Sequence, residues 1–293
     1  MMRTNTMKVK RKKQPYWLGS LLSLVIIGFG LLNHLDLSEQ LSSFLSNDIF
    51  QEVAKSDKKS LTKKPRNVKT KKSTSAPYDQ QQYNQLANLD FQSGGKAAIE
   101  VNNGQSSLDI ATWKENKVIY GDLDSLNRTT FVTAYLDRKN LGRSEGRERQ
   151  VWQPTGWHQK QIDGDPIVNR GHLLAYTSSF NFDIDGNFKI GENGSQDNPK
   201  NLATQTAFSN QKVQTHYEKL VRDAQKLKGN KVIYQIVTVF RGKELMPRGY
   251  WLQAIDSAGT LNFNVYEYNV QPNVVFNYEE GTSQIDRTMK VRE

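Results

Sequence analysis

Cysteine is absent from all 293 residues, which removes disulfides, thiolate metal sites and cysteine nucleophiles together. A chain of this kind can work outside the cell without an oxidation step, and at this length it needs no cross-links to build a core. Histidine is scarce, at four residues, so imidazole chemistry has few places to sit. Excess charge is missing from most of the chain. Met1 to Lys72 holds 15 Lys and Arg against 5 Asp and Glu, which is the whole formal net charge of +10, and residues 73–293 carry 25 of each sign. The basic balance therefore does not by itself make the folded part a nucleic-acid binder; any electrostatic footprint has to come from local clustering.

Long apolar runs are limited to one. Lys8, Lys10, Arg11, Lys12 and Lys13 precede WLGSLLSLVIIGFGLL, a 16-residue uncharged run from Trp17 to Leu32. A basic flank before an apolar core is the layout of an export signal. The run is longer than an ordinary signal core and shorter than the roughly 20 residues that span a bilayer. Asn33, His34 and Leu35 offer no small-x-small cleavage site, which favours an uncleaved anchor over a removed signal peptide. Residues 1–14 then read as a basic cytoplasmic tail and 15–35 as a signal anchor. Leu37, Leu41, Phe44, Leu45, Ile49, Phe50 and Val53 recur at helical spacing and suggest an amphipathic juxtamembrane helix. From Ala54 to about Tyr83 the chain is rich in Lys, Ser, Thr and Gln, too poor in large apolar residues to offset its ordering entropy, and reads as a flexible basic tether. The juxtamembrane helix and linker together take up 36–85, leaving 86–293 as the folded domain.

Within that domain strand signals dominate. KAAIEVNN (96–103), TTFVTAYL (129–136), KVIYQIVTVF (231–240), YWLQAID (250–256) and TLNFNVYEY (260–268) are rich in β-branched and aromatic residues and bounded by turn chemistry. Short loops between the last three predict an antiparallel meander. The clearest helix signal is NQKVQTHYEKLVRDAQKLKGN, where Val213, Tyr217, Leu220, Val221, Ala224 and Leu227 share one helical face and Gly229-Asn230 supplies a stop. The predicted class is α+β, a central antiparallel sheet with one long packed helix. DIDGN (183–187) reads as an Asp-Gly turn between Phe182 and Phe188, because its glycine and acids are misplaced for a helix-loop-helix calcium site.

One histidine stands out: His172, in VNRGHLLAY, ends an extended segment and is followed about forty residues later by that helix. NRGHLLAY, NPKNLATQTAFSNQ and the upstream WQPTGWHQ, in this order, resemble the DNA/RNA non-specific endonucleases with a His-Me finger (ββα-metal) site, most closely their membrane-attached DNA-entry and secreted DNase branches. The resemblance spans roughly residues 90–293. It implies a ββα-metal catalytic unit on the sheet, with His172 as the general base that takes a proton from the attacking water. An imidazole, with an ordinary pKa of about 6.5, suits that task near neutral pH. His158 is a runner-up placed among turn residues.

Asn210, in FSNQ, matches the residue that holds a single magnesium ion, for which manganese is a substitute; an amide oxygen is a hard donor suited to such an ion. Glu218 matches an outer carboxylate. On a regular helix it lies about 12 Å along the axis and about 80° around from Asn210, so the two cannot grip one ion directly. The plain alternative is a solvated Glu beside Lys219. Asn201, in NPKN, matches the family pattern by position alone and is expected among the catalytic residues as a support of the metal loop, and Arg170 is placed to neutralise phosphate charge. Arg143, Arg147 and Arg149, in RKNLGRSEGRER, are candidate backbone clamps. One departure from the family pattern is Asn169, where an aspartate is common. The expected activity is magnesium-dependent cleavage of DNA, with RNA left open, at the cell surface and with DNA-uptake machinery as a partner. A secreted DNase and a non-cleaving surface DNA receptor are the competing readings.

Overall fold

The computed structural model describes residues 76–293, apart from Gly146, Glu148 and Ser195. The anchor, the juxtamembrane helix and most of the tether lie outside the described residues. Among those described, no helix is long and apolar enough to cross a membrane.

The centre is a six-stranded, wholly antiparallel sheet in the order β1 (Ala98–Glu100), β10 (Asn262–Tyr268), β9 (Gly249–Asp256), β8 (Val232–Val239), β3 (Phe131–Leu136), β2 (Lys117–Tyr120). The last three long strands form the meander that their short loops predict. Every residue of β8 is buried, because both faces of the sheet are covered. Alternation sends Val232, Tyr234 and Ile236, with Tyr250, Leu252 and Ala254 of β9, into one core cluster with Leu173, Leu174, Val221 and Ala224. Val237, Val239 and Trp251 face the other way, against Leu86 and Ala87.

That second layer corrects a boundary. Residues up to 85 read as tether, yet α1 spans Gln80–Ala87, capped by Asp79, whose carboxylate accepts from the Gln81 and Gln82 amides at 2.7 and 3.0 Å. Tyr78 stacks on Tyr83 and meets Trp251 edge-on. QQQYNQLA looks like a polar linker because the helix buries only its last turn and leaves the rest to solvent.

On the first face lies a smaller unit: β6 (Val168–His172) pairs antiparallel with β7 (Leu202–Thr206), and a helix follows directly. Two minor hairpins, β4 (Gln161–Ile162) with β5 (Asp165–Pro166) and β11 (Val274–Asn277) with β12 (Thr282–Ile285), complete the strands. The 183–187 segment is the predicted turn, with Phe182 bridged to Phe188, Asp183 capping the amides of Asp185 and Asn187, and Gly186 at φ 84°. The long helix departs from regularity. Ser209–Gln214 is a π-helical stretch that runs into α2, Thr215–Lys226. Leu220 and Leu227, predicted to face the core, are 37% and 42% exposed: Leu220 stands about 100° around from the buried Val221, and Leu227 is the extended residue that ends the helix.

Candidate active site

The ββα unit places its side chains through register. Gly171 faces Ala203, and His172 faces Leu202 at the end of β6. Gly171 has no room for a side chain: a Cβ there would sit 2.1 Å from Gln205 Oε1. The glycine of RGH therefore lets the buried Gln205 lie beneath the strand that carries the histidine.

The imidazole is oriented from behind. His172 Nε2 lies 3.0 Å from the carbonyl oxygen of Gln196. A carbonyl only accepts, so Nε2 carries the proton and the acceptor lone pair of the neutral ring falls on Nδ1. Gln150 Nε2, 3.5 Å from the same ring nitrogen, would ask for the opposite tautomer. That contact is at the limit of hydrogen bonding, and the same amide is shared with the Arg170 and Gln196 carbonyls, both at 3.3 Å; the Gln196 contact governs.

His172 opens onto a cleft of about 730 Å³ that also takes in Asn169, Arg170, Asn210, Glu218 and Arg147. Asn210 makes no side-chain hydrogen bond among the described residues, and its backbone oxygen accepts from Thr215 Oγ1 at 3.0 Å. The π turn is why Asn210 and Glu218 share one cleft where regular helical geometry set them apart; such turns recur at functional sites. Glu218 accepts from Gln214 Nε2 at 3.0 Å and meets Arg222 Nη1 at 3.4 Å. Burial raises its pKa, against the opposing pull of the Gln214 hydrogen bond and of the Arg222 and Arg147 charges. It is not the solvated surface acid of the plain alternative.

Arg170 is held on two sides: its Nε donates to the Trp152 carbonyl at 2.5 Å, and its guanidinium lies 4.5 Å from the centre of the Trp157 ring. Arg147 sits over Tyr176 at 4.8 Å. The other predicted residues are elsewhere. Arg143 and Arg149 are exposed and do not line the cleft. Asn201 is fully buried, its amide clamped to the backbone of Leu174 on both sides, accepting at 2.9 Å and donating at 3.0 Å. That geometry supports the chain leaving His172 and keeps Asn201 from touching a substrate. The exposed His158 is likewise outside the cleft.

Sequence reasoning missed Gln214, Arg222, Gln150 and Trp157. Arg222 had a usable signal, since it stands four residues after Glu218 on one helical face. Gln214 had none: its amide donates to the His172 carbonyl at 2.7 Å as well as to Glu218, a link between distant segments.

Among the described residues no three His, Cys, Asp or Glu side chains converge as a metal cage. The cleft brings together the Asn210 amide oxygen, which makes no side-chain hydrogen bond among the described residues, and the Glu218 carboxylate, a donor set that suits a hard cation retaining most of its water. A larger groove of about 1030 Å³, lined by Lys212, His216, Tyr217 and Phe263, lies on another face of the same helical segment. It holds His216, Glu100, Asn103 and Asn262 but none of the residues of the RGH and FSNQ motifs, so size does not identify the site.

An imidazole and an amide oxygen on a ββα unit share one cleft with two arginines, a set of groups suited to a phosphate substrate. Residues 93–285 match the model of the DNA/RNA non-specific endonuclease family, and the chain belongs to that family: it is a nuclease. It is similar to NucA from Streptococcus agalactiae with magnesium bound, at 33% identity over 69% of this chain and 92% of that one, with a TM-score of 0.57. To the same protein with no metal bound the values are 31%, 64%, 86% and 0.54.

Proposed function

We propose that this endonuclease hydrolyses DNA, with RNA as a second substrate, in a magnesium-dependent reaction with little sequence preference, and that His172 is its general base. The observation that carries the reading is that His172, oriented by the contact of its Nε2 with the Gln196 carbonyl, opens onto the cleft shared with Asn210 and Glu218. Asn210 is the ligand to the ion and Glu218 its outer-sphere partner; when bound, magnesium supplies Lewis-acid stabilisation of charge on the phosphate and on the departing 3′ oxygen. The magnesium ion of the S. agalactiae structure supports that choice.

His172 Nδ1 takes the proton of the attacking water, and loss of the 3′ oxygen leaves a 5′-phosphate end. Arg170, pinned by Trp152 and Trp157, and Arg147 face the phosphate charge that grows in the transition state. A site built around phosphate reads backbone and not base edges, which accounts for the weak sequence preference. Asn169 lines the cleft as a neutral residue, leaving both the base and the metal ligand in place.

Residues 1–14, 15–35 and 36–75 supply cytoplasmic tail, anchor and tether, placing the nuclease outside the membrane, where a role in DNA uptake follows. Plasmid cleavage by the full chain with magnesium, with EDTA and with His172→Ala tests the chemistry: we expect loss with either change, and a folded His172→Ala that cuts at the wild-type rate would falsify the assignment. Sedimentation of the chain with membranes supports the anchor, and recovery from the medium points to a secreted DNase.

A further inference from the structure

Beneath the cleft lies a buried carboxyl group that the proposed reaction does not use. Glu267, on β10 between Tyr250 of β9 and Ala98 of β1 in register, is 0% exposed. Its Oε1 accepts from Gln205 Nε2 at 2.9 Å and from Ser209 Oγ at 3.2 Å. The Gln205 amide also donates to Gln214 Oε1 at 2.8 Å. Gln214 in turn donates to the His172 carbonyl at 2.7 Å and to Glu218 Oε1 at 3.0 Å. One continuous chain of side chains therefore runs from the central sheet to the backbone of the proposed base and to the outer carboxylate of the proposed metal site. Ser209, the residue before Asn210, opens the π turn and is tied to the same oxygen.

We propose that Glu267 is a positioning residue of this nuclease, a sheet-anchored group that holds Gln205 and Gln214 in register so that His172, Asn210 and Glu218 converge on the cleft. The inference rests on the reading of His172 and the metal site given above. Two buried acceptors in the chain, Glu267 Oε2 and Gln205 Oε1, find no donor. A proton on Oε2 turns one of these stranded acceptors into a donor, so the neutral acid fits the network better than the anion. Burial pushes the Glu267 pKa well above the carboxylate range and the nearby Glu218 charge adds to this, with hydrogen bonds from Ser209 and Gln205 acting the other way. The titratable groups that face it are Glu218 and Tyr217 from α2, Tyr234 from β8 and Tyr250 from β9, all acids that add no positive charge. Glu267 touches neither substrate nor ion; it acts through the two glutamines.

The test is steady-state plasmid cleavage by the full chain across a magnesium titration, with the melting temperature of each variant recorded. Wild type and His172→Ala run alongside: if cleavage depends on His172 the site reading stands, and failure at Glu267 then counts against this inference alone. Glu267→Ala, measured where it is folded, is expected to lower kcat about 10- to 100-fold and raise the magnesium needed for half-saturation, with KM for DNA unchanged within about twofold. Glu267→Gln, which keeps a donor and the shape, should bring kcat back to within about threefold of wild type. Gln205→Met severs the chain in its middle and should reproduce the kcat loss even if Glu267→Ala does not fold. A folded Glu267→Ala with wild-type kcat, a loss that Glu267→Gln does not rescue, or a Gln205→Met enzyme with wild-type kcat and magnesium response overturns the proposal.

Discussion

At the scale of single residues the site depends on what small and neutral groups permit. Gly171 is required by proximity and not by backbone angle, since a methyl group there would meet Gln205 Oε1 at 2.1 Å and Gln205 Cβ at 2.7 Å. Gly171→Ala should cost about 1–3 kcal/mol of stability in urea unfolding, the usual penalty for overpacking. Its activity should fall further than the unfolded fraction explains, because the displaced amide is the one that holds Gln214. Glu267 makes a prediction about pH. Its pKa is raised in the fold above the ordinary value of about 4.3, so the fold binds that proton more tightly than the unfolded chain does. The stabilisation is complete below about pH 4 and is lost as pH rises toward the folded pKa, at about 1.4 kcal/mol per unit. Wild type should therefore lose melting temperature relative to Glu267→Gln between pH 5 and 8; parallel curves for the two proteins would show that the buried acid is already ionised.

At the scale of elements, the decisive one is the π turn, Ser209–Gln214. The apolar stripe from Val213 to Leu227 is legible at a period of 3.6, and the helix it predicts is present over 215–226. A π turn leaves no mark in such a stripe, because it widens one turn without changing residue types. Its consequence is the meeting of Asn210 with Glu218 in one cleft. Deleting the exposed Lys212 should let the segment close into regular α-helix with Asn210 and Glu218 seven residues apart, about 20° around the axis and still on one face. We expect helix content by circular dichroism to be retained and cleavage to persist. Loss of cleavage to the level of His172→Ala in a folded deletion would mean that the wide turn itself, and not only the facing of the two residues, is needed.

At the scale of the whole molecule, the sheet is buried on both faces, and α1 belongs to its second layer. A fragment of residues 76–293 should cleave plasmid with magnesium as well as the full chain does. A fragment beginning at residue 89 loses Tyr78, Tyr83, Leu86 and Ala87 from the Trp251 face. It should melt at least several degrees lower, since burying even one such apolar side chain contributes about 1.5–3 kcal/mol. Equal melting temperatures for the two fragments would place the domain boundary after α1. Strands β1, β3, β8, β9 and β10 and the 183–187 turn were readable in advance, each being set by residues within a few positions of one another. The start of α1 was not, because its polar face reads as linker when the sheet beneath it is unseen.

The amino-acid sequence alone determined the α+β class, the long strands and the main helix, the confinement of excess charge to the first 72 residues and the motif that carries His172. These are local properties, carried by periodicity, turn chemistry and a contiguous signature. Tertiary structure alone decided that Arg147 lines the cleft while Arg143 and Arg149 do not, that Asn201 is a buried backbone clamp, and that Glu267 lies under the site. Those outcomes depend on contacts between residues dozens of positions apart, such as the 62 that separate Gln205 from Glu267, and no local pattern encodes which distant partner a buried amide will find.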